Sequence, residues 1–252
     1  MGYQACAAEA LMRCLAGSGI VFDGRRLLDV GCAVGVTAGV LGLKGVTGFD
    51  LFVGLLDTAR RIDAITGVAN NYVCADMTNP WPFGTTFGTV VCGLVCHHLK
   101  NQAETAGFFH ESNRVLETGG MLIVTLPAGA INTPKQLARI TAALDSFGFE
   151  TDIDLTGVVV SDDNELSLFW MLLIVARKRH SPTSGVFISP DFAFQQFKTP
   201  VSREEKGARV RRSVQNVRRV KHESFRLIRI GELLERHPDL SLVFGNVRGL
   251  TG

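Results

Sequence analysis

The sequence predicts a doubly wound α/β fold, a mostly parallel sheet with crossover helices, followed by a basic and helical C-terminal extension. Three observations predict it. Apolar runs punctuated by glycine recur along the chain, with spacers long enough for helices. The runs are near-continuously apolar rather than alternating, as expected of strands covered on both faces. Charge is also divided: residues 1–176 carry 10 Lys/Arg against 17 Asp/Glu, and residues 177–252 carry 16 against 7. An acidic body precedes a basic tail.

The first five strands are read at "RLLDV" (26–30), "GVTGFD" (45–50), "NYVCAD" (71–76), "TVVCGLV" (89–95) and "MLIVTLP" (121–127). Between them, "FVGLLDTARRIDAIT" (52–66) has apolar residues at helical spacing, with Arg60 and Arg61 outward. "QAETAGFFHESNRVLETGG" (102–120) reads as a helix that stops at its paired glycines. Pro134 suits the first turn of the helix that continues "KQLARITAALDSFGF". Strands for the sheet edge come from "TDIDLTGVVV" (151–160) and "LSLFWMLLIVA" (166–176), the latter closed by Arg177, Lys178 and Arg179. After a turn-rich stretch (181–194), residues 204–238 read as one or two basic helices. Leu227, Ile228, Ile230, Leu233 and Leu234 would bury a stripe against the body. The division expected is a domain at 1–179 and an extension at 180–252.

Composition narrows the class. With 252 residues, 46% apolar and 20% charged, the chain can bury a sizeable core. Its six cysteines form no C-x-x-C pair and no even framework, which argues for a reducing compartment without structural zinc. Glu9 and Arg13 interrupt the first apolar stretch, so no signal peptide is read. The run at 166–176 is too short to span a bilayer. A soluble, cytoplasmic protein without a membrane span is expected.

The most informative stretch is "LLDVGCAVGVTAGVLG" (27–42), a strand running into a glycine-spaced turn and a helix start. Such turns bring backbone N–H groups close to a ligand. The spacing Gly31-x-Ala33-x-Gly35 does not match the dinucleotide fingerprint G-x-G-x-x-G, because Gly39 falls one position late. Asp29, two residues ahead of the turn, would also repel a pyrophosphate. A ligand carrying an ammonium and no phosphate suits it better.

These residues resemble the first motif of the class I S-adenosylmethionine-dependent methyltransferases, a Rossmann-like family in which acidic-x-Gly-x-Gly-x-Gly is usual. Later landmarks follow in family order, through about residues 27–178, and "VCGLVCHHL" resembles the ubiquinone and small-molecule members. The resemblance implies S-adenosylmethionine as the donor cofactor. Asp29, Gly31, Cys32, Ala33 and Gly35 would hold it at the turn. Asp50, followed by Leu51, would bind both ribose hydroxyls. Ala75, Asp76 and Met77 would frame the adenine, and Cys92 on the fourth strand completes the donor set. "NRVLETGG" matches the segment leading into the fifth strand.

Two residues depart from the family pattern. Ala33 stands where glycine is usual, and Gly88 replaces an Asp before the fourth strand. They leave room for a degenerate, non-catalytic member of the fold. His98 and His97, at the carboxyl end of the fourth strand, are the candidate catalytic residues, since a neutral imidazole there could take a proton from an acceptor. A small-molecule acceptor is expected, methylated on O, N or C. The alternative is RNA: residues 201–230 hold 10 Lys/Arg against 3 Asp/Glu, and Arg218, Arg219, Arg226 and Arg229 could contact phosphates. Because little chain precedes Leu27, the region after Gly157 or the tail is expected to cover the site.

Overall fold

A computed structural model describes Ala8, Leu11, residues 14–15, 18–127, 133–161, 170–182 and 225–229. The strands are β1 (Leu27–Val30), β2 (Thr47–Asp50), β3 (Asn71–Cys74), β4 (Phe87–Gly93), β5 (Leu116–Pro127), β6 (Phe149–Thr151), β7 (Gly157–Ser161), β8 (Trp170–Lys178) and β9 (Phe225–Arg229). The α-helices are α1 (Val36–Val40), α2 (Val53–Thr66), α3 (Gln102–Val115) and α4 (Thr133–Ser146). They build one sheet in the order β3-β2-β1-β4-β5-β8-β7-β9, with β6 pairing the end of β8. Pairs among β1 to β5 are parallel, and every pair involving β6 to β9 is antiparallel. The chain runs outward from β1 to β3, then returns to place β4 on the other side of β1. That reversal is the topological switch point where open α/β sheets bind ligands.

Both faces of the sheet are buried, as the continuous apolar runs predict. Side chains alternate along each strand. Leu28, Val30, Val90, Cys92, Leu122, Val124, Leu172 and Ile174 join one core with Phe108 and Phe109 of α3 and Leu144 of α4. Leu27, Val91, Ile123, Leu173 and Val175 face the other core, which includes Leu11, Leu15 and Ala38. Asp29 shares the Leu27 face and is buried there.

Two elements differ from the sequence reading. The third helix ends at Val115, not at Gly119–Gly120, and β5 starts at once with Leu116 in an extended conformation. Lys178 explains the stop. Its ammonium donates to the carbonyls of Asn113 at 2.6 Å and Leu116 at 2.7 Å, so the helix end finds a partner on β8 instead of another turn.

The second difference concerns the tail. Residues 225–229, including Leu227 and Ile228 of the expected helical stripe, form a strand hydrogen-bonded to the edge of β7. "FRLIR" satisfies an open sheet edge through its backbone, a gain no helical periodicity registers. Ile230, Leu233 and Leu234, with the rest of the tail, lie outside the described residues.

Deleting residues 183–252 should therefore expose the β7 edge and lower the melting temperature. A ladder of five paired residues, at about 0.5–1.5 kcal/mol net for each hydrogen bond, is worth a few kcal/mol. At about 2–4 °C for each kcal/mol the fall should exceed about 4 °C, while ligand binding at the switch point survives. An unchanged melting curve would contradict the role given to β9. No helix among the described residues is long and apolar enough to cross a membrane.

Candidate functional site

The turn after β1 is built by three consecutive demands on backbone geometry. Gly31 and Gly35 both sit in the left-handed region, with φ of 69° and 74°. A side chain at Gly31 would also collide with Val95, its Cβ only 2.6 Å from a Val95 methyl, and one at Gly35 would meet the Tyr72 hydroxyl at 2.6 Å. Glycine is required at both for two independent reasons. Gly31 and Cys32 then donate their N–H groups to the carbonyl of Phe49, at 2.8 and 3.1 Å, which lashes the turn to β2.

Ala33 adopts φ 48° between them, despite its methyl group. Asp50 at the end of β2 holds it there. Its Oδ2 accepts the Ala33 N–H at 3.0 Å, and its Oδ1 accepts the Phe52 N–H at 3.0 Å. The turn thus closes without the usual glycine, at a steric cost of about 1–2 kcal/mol. Ala33→Gly should relieve that cost. We expect ligand affinity equal to or up to about tenfold better than wild type, measured by calorimetric titration with S-adenosylhomocysteine. A large loss would mean that the alanine methyl makes a contact worth more than its strain.

Gly31 and Cys32 line a cleft with Val36, Thr37, Val91, Gly93, Thr125, Ala8 and Leu11. Asp29 is not itself in that lining but shares a hydrogen bond with Thr37, which is; it is 2% exposed, and its Oδ2 atom has no hydrogen-bond partner. Burial pushes its carboxyl up from the usual 3.8 to about 7, a rise opposed by the Thr37 hydroxyl and reinforced by the charge of Asp50. A buried acceptor without a donor is costly, and a cationic donor entering the cleft would relieve it.

Thr37 and Thr125 flank Gly93, their hydroxyls 3.8 and 3.9 Å from where its Cβ would stand. Thr125 also accepts the Leu94 N–H through both its carbonyl (3.0 Å) and its hydroxyl (3.1 Å). That double bond fixes Leu94 at φ 57°, the second left-handed non-glycine residue among those described, again at the cleft edge. Strain of this kind gathers at binding sites.

Other candidate residues lie at the ends of β2 and β3. Ala75 donates its N–H to the Asp50 carbonyl at 3.1 Å, setting β3's end beside β2's. Asp76 Oδ1 accepts from the Thr78 N–H (2.9 Å) and hydroxyl (2.8 Å), which folds the following loop back. Met77 packs against the core, and its carbonyl accepts the Trp81 indole N–H at 3.1 Å. Leu51 is 55% exposed and Phe52 64%, an apolar ledge next to Asp50.

Of the sequence candidates only Gly31 and Cys32 are in the cleft lining, and Cys92, His97 and His98 lie outside the donor turn as well. Cys92 is fully buried on the opposite face of β4 from Val91 and Gly93, with the Cys96 thiol 3.1 Å from its own. Its place is in the core, because alternation along β4 turns it away from the cleft. His97 and His98 occupy a 3-10 turn (Cys96–His98), their rings stacked with centroids 4.1 Å apart. His98 is exposed and His97 half-buried.

Sequence reasoning missed Thr37 and Thr125, although a hydroxyl inside the apolar run "MLIVTLP" was a visible signal. Part of the wall comes from upstream of β1, while most of the region expected to cover the site lies outside the described residues. Ala8 and Leu11, both buried, line the cleft, and Leu11 packs in the same core as Val91 and Leu94. Among the described residues, those after Gly157 do not.

Gly88 has a local substitute for the missing Asp. It lies beside an ion pair between Arg26 and Glu117, whose carboxylate would stand 3.4 Å from a Cβ there. A second carboxylate at this point would face that of Glu117.

Residues 28–124 match the family model described as a methyltransferase domain. No curated protein matches the chain in sequence. Among solved structures, a putative methyltransferase from Bacillus halodurans C-125 is 20% identical, covers 68% of this chain and 99% of its own, and superposes with a TM-score of 0.53. The N-methyltransferase NodS from Bradyrhizobium japonicum WM9, in complex with S-adenosylhomocysteine, is 17% identical over 69% of this chain and 86% of its own, with a TM-score of 0.53. The [4+2]-cyclase SpnF is 19% identical over 68% and 80%, with a TM-score of 0.51. At these identities the likeness is one of fold, and the fold carries more than one chemistry.

Proposed function

We propose that this chain, whose residues 28–124 match the methyltransferase-domain model, is a class I S-adenosylmethionine-dependent methyltransferase that methylates an O, N or C atom of a small-molecule acceptor in the cleft at the β1–β4 switch point. The observation that carries the reading is the buried Asp29 behind the lining residue Thr37, with its unpartnered oxygen. It suits an ammonium and repels a pyrophosphate, which separates this donor from a dinucleotide.

In this reading Asp29 receives the donor's ammonium, with Thr37 orienting the carboxylate. Asp50 takes the ribose hydroxyls on the lone pairs that the Ala33 and Phe52 N–H groups leave over. Asp76 and Met77 frame the adenine beside Leu51. When bound, the donor supplies an electrophilic methyl on a sulfonium. Such a methyl needs an aligned nucleophile more than a strong base. Ala8, Leu11 and Val91 exclude water from the cleft, and Thr125 fixes the shape of its rim through Leu94. His98, exposed in the turn that follows β4, is assigned the proton of an acceptor that has to lose one.

The left-handed Ala33, tied to Asp50, favours a working donor turn over a degenerate one. The basic tail favours a second reading, with RNA as acceptor and residues 180–252 as a substrate arm. Methyl transfer from a labelled donor separates the two. Label in a small-molecule fraction supports the first reading. Label in RNA, with binding that falls steeply as salt rises, supports the second.

A further inference from the structure

The loop between β3 and β4 carries the residues assigned to adenine, and it has no regular structure of its own between Thr78 and Thr86. Its middle is "PWPF". Pro80 and Pro82 have no N–H, so Trp81 holds the one backbone donor of that tripeptide. Glu111 of α3 takes it, Oε2 accepting from the Trp81 N–H at 2.6 Å.

Arg114, one turn further along the same helix face, holds the other end. Its Nε and Nη2 donate to the two Glu111 oxygens at 2.9 and 2.6 Å. Nη2 also donates to the Trp81 carbonyl at 2.9 Å, and Nη1 to the Phe83 carbonyl at 2.8 Å. A single ion pair thus grips Trp81 at both its N–H and its C=O. The indole, 3% exposed, packs on Phe49 and Phe108 with centroids 5.2 and 5.8 Å away, and its Nε1 reaches the Met77 carbonyl.

We propose that Glu111 and Arg114 are positioning residues for the adenine subsite, acting through Trp81 on Met77 and Asp76. The proposal rests on the reading that these two residues frame adenine. Stability alone is a poor reason for the arrangement, since a partly exposed ion pair contributes little. The planar fork is what the geometry uses. It donates four hydrogen bonds at once, two of them to one carboxylate, where a lysine ammonium has only three N–H groups.

The test uses the full chain, with Arg114→Lys and Glu111→Gln each made in the parent and in an Asp76→Asn background. S-adenosylhomocysteine affinity is measured by calorimetry, and amide hydrogen exchange is followed across residues 76–83. Each single variant should weaken binding about five- to tenfold in the parent but less than about twofold beside Asp76→Asn, because residues acting through one loop are not additive. Exchange across 76–83 should quicken while β1 and β2 stay protected. Unchanged affinity in the parent, equal losses in both backgrounds, or unchanged exchange in the loop would each overturn the proposal. A parent protein that binds no S-adenosylhomocysteine would instead overturn the donor reading beneath it.

Discussion

Asp50→Ala is expected to weaken binding of S-adenosylhomocysteine by at least a hundredfold, the largest loss from any single change at the site. The carboxylate has two tasks. It accepts the Ala33 and Phe52 N–H groups, each at 3.0 Å, and it is the acceptor proposed for both ribose hydroxyls. Hydrogen bonds to a charged group contribute about 1.5–3 kcal/mol each, so losing two costs at least about 3 kcal/mol, or more than a hundredfold. Loss of the Ala33 tie adds to this, because a left-handed alanine without its acceptor is free to relax. Asp50→Asn should fall between, since the amide keeps one acceptor oxygen and turns its NH2 toward a backbone donor. Calorimetric titration reads all three proteins. Affinity within twofold of wild type for the alanine variant would remove Asp50 from the site.

Asp29→Asn should have two opposed effects. Burial raises the folded carboxyl above its unfolded value, from 3.8 to about 7, so the folded state holds a proton that the unfolded state has lost. Stability of the ligand-free protein should therefore decline as pH rises from about 4 to 7, then level off. At 1.36 kcal/mol for each pH unit, that interval corresponds to on the order of 4 kcal/mol. Asparagine cannot ionise, so the variant should escape the decline and melt higher than wild type at pH 8.

Ligand binding should move the other way. An ammonium at Asp29 stabilises the charged form, so wild-type affinity should fall up to about tenfold between pH 7 and 6, as the carboxyl must give up its proton first. The asparagine variant should bind weakly with little pH dependence. Thermal melts and titrations between pH 5 and 8 check both halves. A variant no more stable than wild type at pH 8 would mean that Asp29 is not buried as a carboxylate. A variant with wild-type affinity would mean that the ammonium sits elsewhere.

Most of the parallel half of this fold was legible in the sequence, for a physical reason. Strands buried on both faces must be apolar throughout, and β1, β4 and the second half of β5 announce themselves that way. Asp50 and the turn from Gly31 to Gly35 were legible because glycine spacing records backbone conformation directly. The end of α3 was not, since Lys178 comes from 63 residues beyond Val115 and carries no local signal. Strand β9 was missed because an open sheet edge selects through backbone bonds, while arginine-rich periodicity suggested a helix. The cleft wall made by Ala8 and Leu11 was missed because two small apolar residues look like any core positions. Asp29's carboxylate was read as a ligand-facing charge; that it is buried with one of its oxygens unpartnered is visible only in the structure.

The central claim is that the cleft at the β1–β4 switch point takes an adenosyl amino acid and not a dinucleotide. Parallel calorimetric titrations of the full chain with S-adenosylhomocysteine and with NADH at pH 8 test it most directly. One site with micromolar or tighter affinity for S-adenosylhomocysteine, lost in Asp50→Ala, and no heat with NADH is the result predicted. Micromolar binding of NADH, or no binding of S-adenosylhomocysteine by the folded protein, would contradict it.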